Sequence, residues 1–310
     1  MCTIDKKLYE IYKELITKVN GDKYPLLIKK CFPELIRIFP KEIHVFIGGF
    51  RANQVHELWA LFNFISFFAP KVRRGYHPRP SSRNRKTVLV EEEGELWIEK
   101  FAPCPHAGTP YEMLQTLLPI CTLELNNGKY LSFWYQCYLP QFYDVKKALG
   151  WTRGVASSKK LRVPDIMISE AKVEVEDVEA KEEIIELNGI EGIKALNIYT
   201  VKADTRELFA IIARTKREDK GYYWIHWMNK KWLPDLIVEC KESKCAYSGV
   251  RIGGWQDYLA MKARKAKLLV STVHPPINIG DFKLILDELD KEKLQSKIKD
   301  IIETLIDNIT

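Results

Sequence analysis

The chain has 310 residues, of which 46% are hydrophobic and 29% charged, and its formal net charge is +7. This composition is typical of a globular protein of one elaborated domain or two, and no internal repeat or low-complexity segment stands out along the chain. The basic balance permits an acidic partner such as nucleic acid without requiring one.

The cysteines and apolar stretches indicate the cellular compartment in which the protein is expected. Seven cysteines are scattered without a C-x-x-C pair, which argues against a disulfide scaffold or zinc ribbon and favours a reducing compartment. Cys104 and His106 lack a second ligand pair at zinc-binding spacing. The longest apolar stretch, residues 58–70, is too short to span a bilayer, and the first residues lack the apolar run of a signal peptide. We therefore expect a cytoplasmic protein without a membrane partner.

The N-terminal third predicts helices followed by a basic loop. Apolar residues recur at helical spacing over 5–38, and a strongly apolar helix is expected over 51–69. Residues 71–86 combine Pro, Gly and Ser with seven Lys or Arg, which predicts an irregular loop that either follows a phosphate backbone or is simply solvated. The candidate nucleic-acid contacts in the whole chain are Arg73, Arg74, Arg79, Arg83, Arg85, Lys86, Arg251 and Lys262.

The rest of the chain alternates between strands and helices. Two β-hairpins are expected, over 87–101 around Glu92-Glu93-Gly94 and over 122–139 around Asn126-Asn127-Gly128. Residues 170–190 hold eight acidic side chains and open an insertion. The other expected elements are helices over 111–120, 255–266 and 281–309, and strands over 163–169, 194–202, 208–213, 222–227 and 268–273.

The most informative stretch is a buried strand, 236–238, that runs directly into Glu239, Cys240 and Lys241. Because side chains alternate across a strand, Glu239 and Lys241 share a face and Cys240 points into the core. A carboxylate and an amine side by side at the end of an apolar strand are costly unless something binds there. A divalent metal and a phosphate would satisfy both groups.

A metal site needs a second carboxylate, for which there are three candidates. Asp235 lies on the same strand as Glu239 but roughly 13 Å away, too far to share an ion directly. Glu170 opens the acidic insertion rather than an apolar strand. Asp165 begins an apolar strand, 166–168, that can lie beside the Glu239 strand, and it is therefore the favoured partner.

Four motifs follow one another along the chain: Pro164-Asp165, Glu239-x-Lys241, Gln256 in a following helix, and the strand 268–273. Together they resemble the PD-(D/E)xK nuclease superfamily, which includes restriction endonucleases, archaeal Holliday-junction resolvases and RecB-like nucleases.

The resemblance implies an α/β fold with a restriction-endonuclease-like αβββαβ core, a mixed sheet flanked by helices. That core would occupy 110–275, with an insertion at about 170–232 between the catalytic strands. An N-terminal α+β extension, 1–109, would precede it, and a C-terminal helical segment, 276–310, would follow. The insertion is long for a family whose two catalytic strands usually form a hairpin, so Pro234-Asp235 is the alternative family Pro-Asp, which the distance to Glu239 disfavours.

The resemblance also implies the site. Asp165 and Glu239 would bind Mg²⁺, with Mn²⁺ as a substitute, and Lys241 would position or activate the attacking water. Gln256 would be the helix glutamine of several branches, with Tyr258 beside it. A further carboxylate from the first core helix would come from Glu57 or Glu112. The four-cysteine iron–sulfur pattern of some branches is missing.

The implied function is that of a metal-dependent DNA endonuclease, restriction-like or belonging to a defence system or mobile element. Two alternatives remain open: a catalytically inactive nuclease fold that acts as a nucleic-acid-binding subunit, and a Holliday-junction or repair nuclease. Cutting both strands of a duplex would favour a homodimer.

Overall fold

The structure is a computed structural model that describes residues 6–17, 22–83, 86–99, 117–137, 163–178, 183–187, 190–204, 207–217, 221–229, 231–248 and 258–303. Within these ranges the α-helices are α1 (Lys6–Ile16), α2 (Leu26–Cys31), α3 (Pro33–Ile38), α4 (Ala52–Phe68), α5 (Lys244–Ser248) and α6 (Lys291–Glu303). None of these helices is long and apolar enough to cross a membrane.

The strands of the described residues form three sheets. They are β1 (Glu42–Phe46), β2 (Val72–Arg83), β3 (Lys86–Glu93), β4 (Glu95–Glu99), β5 (Cys121–Leu125), β6 (Tyr130–Tyr135), β7 (Ile166–Ser169), β8 (Glu174–Val178), β9 (Glu183–Leu187), β10 (Ile190–Asp204), β11 (Glu207–Arg217), β12 (Gly221–Met228), β13 (Leu236–Lys241), β14 (Ala266–Ser271) and β15 (Phe282–Leu286). The central sheet has the order β15-β14-β13-β7-β6-β5-β2-β3. It is mixed, because β13, β14 and β15 are parallel and the other neighbours are antiparallel.

One face of the central sheet packs against helices. Helix α4 is buried along almost its whole length, and it contacts α1, α3, α6 and β13. Leu236, Val238 and Cys240, which alternate along β13, join this core. The predicted inward orientation of Cys240 is therefore observed, and so is a mixed α/β architecture with a large sheet flanked by helices.

The segment between β7 and β13 forms a sheet of its own. Strands β12, β11, β10 and β8 lie side by side in that order, and β9 pairs with β10. An aromatic cluster joins this sheet to the central one: the ring of Phe209 on β11 lies 4.5 Å from that of Trp232, and Trp134 on β6 lies 5.7 Å from Trp232. All three side chains are buried, so the insertion is anchored at its base.

Several predictions of local structure are confirmed. The apolar helix over 51–69 is α4, and strands β10, β11 and β12 are present where 194–202, 208–213 and 222–227 were expected. The strands expected over 163–169 and 268–273 are present with shifted bounds, as β7 (Ile166–Ser169) and β14 (Ala266–Ser271). The Asn126-Asn127-Gly128 hairpin joins β5 to antiparallel β6. Gly128 has φ of 81°, a conformation that glycine adopts without steric cost.

The basic segment 71–86 is not an irregular loop, so that prediction was wrong. It contains β2, a twelve-residue strand that pairs with β5 through Tyr76 and with β3 from Tyr76 onward. Pro78 and Pro80 lie in the half that pairs only with β3. There the missing N–H can face the unpaired side of the strand, which is where a sheet tolerates proline.

Three further predictions are corrected by pairing over long distances. Residues 87–101 do not form a hairpin, because β3 pairs with β2 whereas β4 pairs in parallel with β1. The helix expected over 255–266 is helical only at 258–260 among its described residues, and β14 begins at Ala266. Residues 281–309 begin with β15, which adds a parallel edge strand before α6. The helix expected over 111–120 lies mostly outside the described residues.

Candidate functional site

The candidate site lies where β7 and β13 separate. Their ladder ends at the pair Ile166 and Val238, and the next residue on each strand is Asp165 and Glu239. The Asp165 carboxylate replaces the missing ladder contact, because its Oδ2 accepts a hydrogen bond of 2.7 Å from the backbone N–H of Cys240. The two carboxylates that the sequence favoured are therefore brought to one point of the sheet.

Lys241 extends into the same point. Its Nζ donates hydrogen bonds to Glu239 Oε2 at 3.2 Å and to the Cys240 carbonyl at 3.1 Å, and it lies 3.9 Å from Asp165 Oδ2. The ring centroid of Tyr258 is 5.3 Å from the ammonium, within the range of a cation–π contact. The Glu239 side chain is fully buried and that of Lys241 is 10% exposed, so both are largely removed from water.

A third carboxylate reaches the site from α4. Glu57 Oε2 accepts hydrogen bonds from the Tyr135 hydroxyl at 2.9 Å and from Gln136 Nε2 at 2.6 Å, and its Oε1 accepts one of 3.1 Å from Asn53. The Gln136 backbone N–H also donates to the carbonyl of Asp165 at 2.9 Å. Gln136, directly after β6, therefore donates hydrogen bonds to both Glu57 and Asp165.

The electrostatics of the site are dominated by its carboxylates. Burial, and secondarily the charge of Asp165, raises the pKa of Glu57 to about 8. Burial also raises the pKa of Asp165, and burial together with Asp165 raises that of Glu239 well above its usual range. The pKa of Lys241 is raised as well, because the carboxylates of Glu239 and Asp165 outweigh the effect of its burial. Three carboxyl groups thus face one ammonium, and the excess of acidic groups is neutralised either by protons or by a bound cation.

The donor set fits a divalent cation that keeps part of its own hydration. Glu239 Oε1 is buried and has no hydrogen-bond partner among the described residues. Among the described residues, no three His, Cys, Asp or Glu side chains are grouped so that they could hold a metal ion by themselves. Mg²⁺ is commonly held by one or two carboxylates, with water and phosphate oxygens completing its shell. Asp165 and Glu239 would hold such an ion.

The two rejected carboxylates have structural partners instead. Asp235 lies at the opposite end of β13 from Glu239, and its Oδ2 accepts a hydrogen bond of 2.7 Å from the backbone N–H of Glu170. The Glu170 side chain forms an ion pair of 2.9 Å with Lys129. Both residues therefore stabilise the far end of the strand pair.

Three of the predicted nucleic-acid contacts, all on β2, form ion pairs with carboxylates of this chain. Arg73 and Arg74 on β2 both contact the carboxylate of Glu124, at 3.2 and 2.9 Å, and Arg79 contacts Glu92 at 2.6 Å. Lys262 lies far from them, after the helical turn 258–260. The backbones of Arg83 and Lys86 lie opposite each other at the end of the β2–β3 ladder. Six residues named in the sequence analysis lie outside the described residues: Arg85, Cys104, His106, Glu112, Arg251 and Gln256.

Tyr135 and Gln136 are site residues that the sequence did not reveal. Tyr135 is the last residue of β6 and Gln136 follows it, much as Glu239 and Lys241 lie at the end of β13, so two polar side chains at a strand end were the available signal. Glu57 was one of two helix candidates, and it is the carboxylate of an otherwise strongly apolar stretch.

Comparisons with known proteins assign no family: no family model, no curated protein and no solved structure matches the chain. The activity of the site is therefore inferred from its own chemistry.

Proposed function

We propose that the protein is a metal-dependent nuclease that hydrolyses phosphodiester bonds in DNA. The observation that carries this proposal is the convergence of Asp165, Glu239 and Lys241, with Glu57 behind them, where β7 and β13 separate. Buried carboxylates in excess of cations bind a divalent metal, and a buried ammonium beside them attracts a phosphate.

The order of the strands supports a PD-(D/E)xK core as the fold of this site. Strands β6, β7 and β13 are antiparallel neighbours, and β14 follows as a parallel neighbour of β13. Helix α4 precedes them in the chain and packs against β13. These elements are compatible with the α-β-β-β-α-β order that the motifs imply, with α4 in the place of the expected helix 111–120 and the five-stranded insertion between β7 and β13.

In the proposed mechanism, Asp165 and Glu239 would hold Mg²⁺, which when bound would supply a water of lowered pKa and offset charge on the scissile phosphate. The residues of the chain do the positioning. Two of the three Lys241 ammonium protons are used in hydrogen bonds to Glu239 and Cys240, which leaves one for an oxygen of the phosphate or of the attacking water. Burial removes competing solvent from this contact and strengthens it.

The remaining parts of the proposal concern partners and setting. A net charge of +7 suits a polyanionic substrate, and the resemblance points to DNA. Cys31, Cys121, Cys137 and Cys240 are free thiols, which suits a cytoplasmic location. A homodimer would place two such sites on the two strands of a duplex.

A second candidate is an inactive nuclease fold that binds nucleic acid. The position of Lys241 favours it, because the ammonium already lies between the carboxylates of Glu239 and Asp165. In an inactive protein this internal cation would take the place of the metal.

A cleavage assay separates the two candidates. Wild type and Glu239→Gln would be incubated with supercoiled plasmid, single-stranded DNA and a four-way junction, in Mg²⁺, Mn²⁺ or EDTA. The matched control is Glu170→Gln, since Glu170 belongs to the other Glu-x-Lys triplet and lies outside the site. We expect metal-dependent cutting that falls at least about 100-fold in Glu239→Gln and persists in Glu170→Gln. Binding without cutting of any substrate would favour the inactive fold, and undiminished cutting by Asp165→Asn would refute the assignment of the site.

A further inference from the structure

A second charged site lies at the opposite end of the parallel strands from the candidate nuclease site. A cleft of about 380 Å³ opens beside Leu233, Ala266 and Lys283, close to where β13, β14 and β15 begin. Glu239 and Lys241 are at the carboxyl end of β13, and a six-residue strand spans roughly 17–20 Å. The cleft is therefore separate from the nuclease site.

Lysine side chains dominate the charge of this cleft. Lys262, Lys265, Lys267 and Lys283 line it, and Asp281 is the one carboxylate in its lining. Four ammonium groups around one cleft repel one another, and an anion placed among them relieves that repulsion.

Lys267 is the buried member of the cluster. Its side chain is 4% exposed, and its Nζ contacts Asp281 at 2.5 Å and donates to the Leu259 carbonyl at 2.8 Å. These contacts fix the ammonium at the base of the cleft. Asp281 itself is 72% exposed, so its charge is well screened by water. Lys265 lies 3.9 Å from a carboxylate oxygen of Asp235 and 4.0 Å from one of Glu170. Lys262 and Lys283 are exposed and supply the remaining positive charge of the cleft.

The size and lining of the cleft indicate the class of ligand. Its volume falls within the range of sites that take small molecules, roughly 300–1,000 Å³. Leu233 and the buried side chain of Met261 provide an apolar part beside the lysines. All four lysines line one cleft of this size, which suits a single phosphate group more than an extended backbone.

We propose that this cleft binds the phosphate group of a nucleotide-sized phosphate ester, with the lysines on the phosphate and the apolar side chains on the organic part. A free nucleoside phosphate and the phosphorylated end of a nucleic acid share this chemistry. The proposal does not rest on nuclease activity and is tested without metal.

The test is isothermal titration calorimetry on the full chain in EDTA. The probes are ADP, AMP, pyrophosphate, and a short oligonucleotide with and without a 5′-phosphate. The variant is Lys262→Gln with Lys283→Gln, since both side chains are exposed and their loss leaves the core unchanged. The charge-matched control is Lys71→Gln with Lys293→Gln, which removes two exposed lysines outside the cleft.

We expect ADP to bind and its Kd to rise about ten-fold or more in the cleft variant, because charge-assisted contacts to phosphate are lost. The control should change Kd less than about two-fold. A preference for the 5′-phosphorylated oligonucleotide over ADP, with the same sensitivity to the variant, would identify a nucleic-acid end as the source. Absence of binding by every phosphorylated probe at about 1 mM, or equal weakening in the control, would overturn the proposal. Lys267→Met, with its unfolding midpoint measured alongside, tests the buried ammonium by the same titration.

Discussion

Replacing Glu57 with glutamine should stabilise the metal-free protein, although Glu57 is buried and hydrogen-bonded. Burial, and secondarily the charge of Asp165, raises the pKa of this carboxyl from 4.5 to about 8. One pKa unit corresponds to about 1.4 kcal/mol, so keeping Glu57 ionised costs the folded state at most about 5 kcal/mol. The variant removes that cost, and the exposed Asn53 can turn its amide to accept from the new NH₂ group.

The sign of the pH dependence follows from proton binding. Above pH 4.5 the unfolded chain loses the Glu57 proton while the folded chain keeps it until about pH 8. The free energy of unfolding of the wild type should therefore fall with rising pH over this window, relative to Glu57→Gln. The difference should be near zero at pH 4.5 and about 3 kcal/mol at pH 7, and it should level off above pH 8.

Urea unfolding of both proteins in EDTA, at intervals from pH 5 to 9, measures this difference directly. Glu10→Gln, an exposed change on α1, is the control and should stay within about 0.5 kcal/mol of wild type at every pH. Adding Mg²⁺ should narrow the gap between wild type and Glu57→Gln, because an ion stabilises the ionised carboxylates. A variant that is less stable than wild type at pH 7 by an amount independent of pH would refute the reasoning.

Three further outcomes are expected. Lys241→Met should lower the free energy of unfolding in EDTA by roughly 3–5 kcal/mol, because it leaves the buried carboxylate of Glu239 unpaired; a loss below about 1 kcal/mol in chemical unfolding would contradict this. Burial lowers the pKa of His77, whose Nδ1 donates to the Ile120 carbonyl. Wild type should therefore lose stability as pH falls through 6.5, and His77→Gln should lose less. Equal slopes of unfolding midpoint against pH in the two proteins would contradict this expectation. Phe209→Ala should cost about 3 kcal/mol and expose the insertion to limited proteolysis, and an unchanged cleavage pattern would show that the aromatic cluster does not anchor it.

The local sequence was enough to predict features that depend on neighbours in the chain. The apolar run of α4, the turn at Gly128 and the alternation along β13 all depend on contacts a few residues away. The shared face of Glu239 and Lys241 follows from the same alternation. The choice of Asp165 over Asp235 needed only the length of a strand and the start of an apolar run.

Strand pairing over long distances was not predictable in this way. Nothing local distinguishes β2 from a basic loop, because its prolines are tolerated only where the neighbour on one side is missing. The pairing of β4 with β1 rather than β3 depends on a parallel contact made across α4 and two strands. Such pairing depends on how the whole hydrophobic core packs, and not on residues close in sequence.

The same division applies to the candidate site. The sequence by itself indicated Glu239 and Lys241 as candidate site residues, because a carboxylate and an amine at the end of an apolar strand are costly without a ligand. Only the tertiary structure decided that Glu57, Tyr135 and Gln136 join them, since α4 and β6 meet β7 and β13 through packing rather than through any motif. The raised pKa values of Glu57 and Glu239 also depend on the tertiary structure, because burial and the mutual repulsion of carboxylates exist only when the chain is folded.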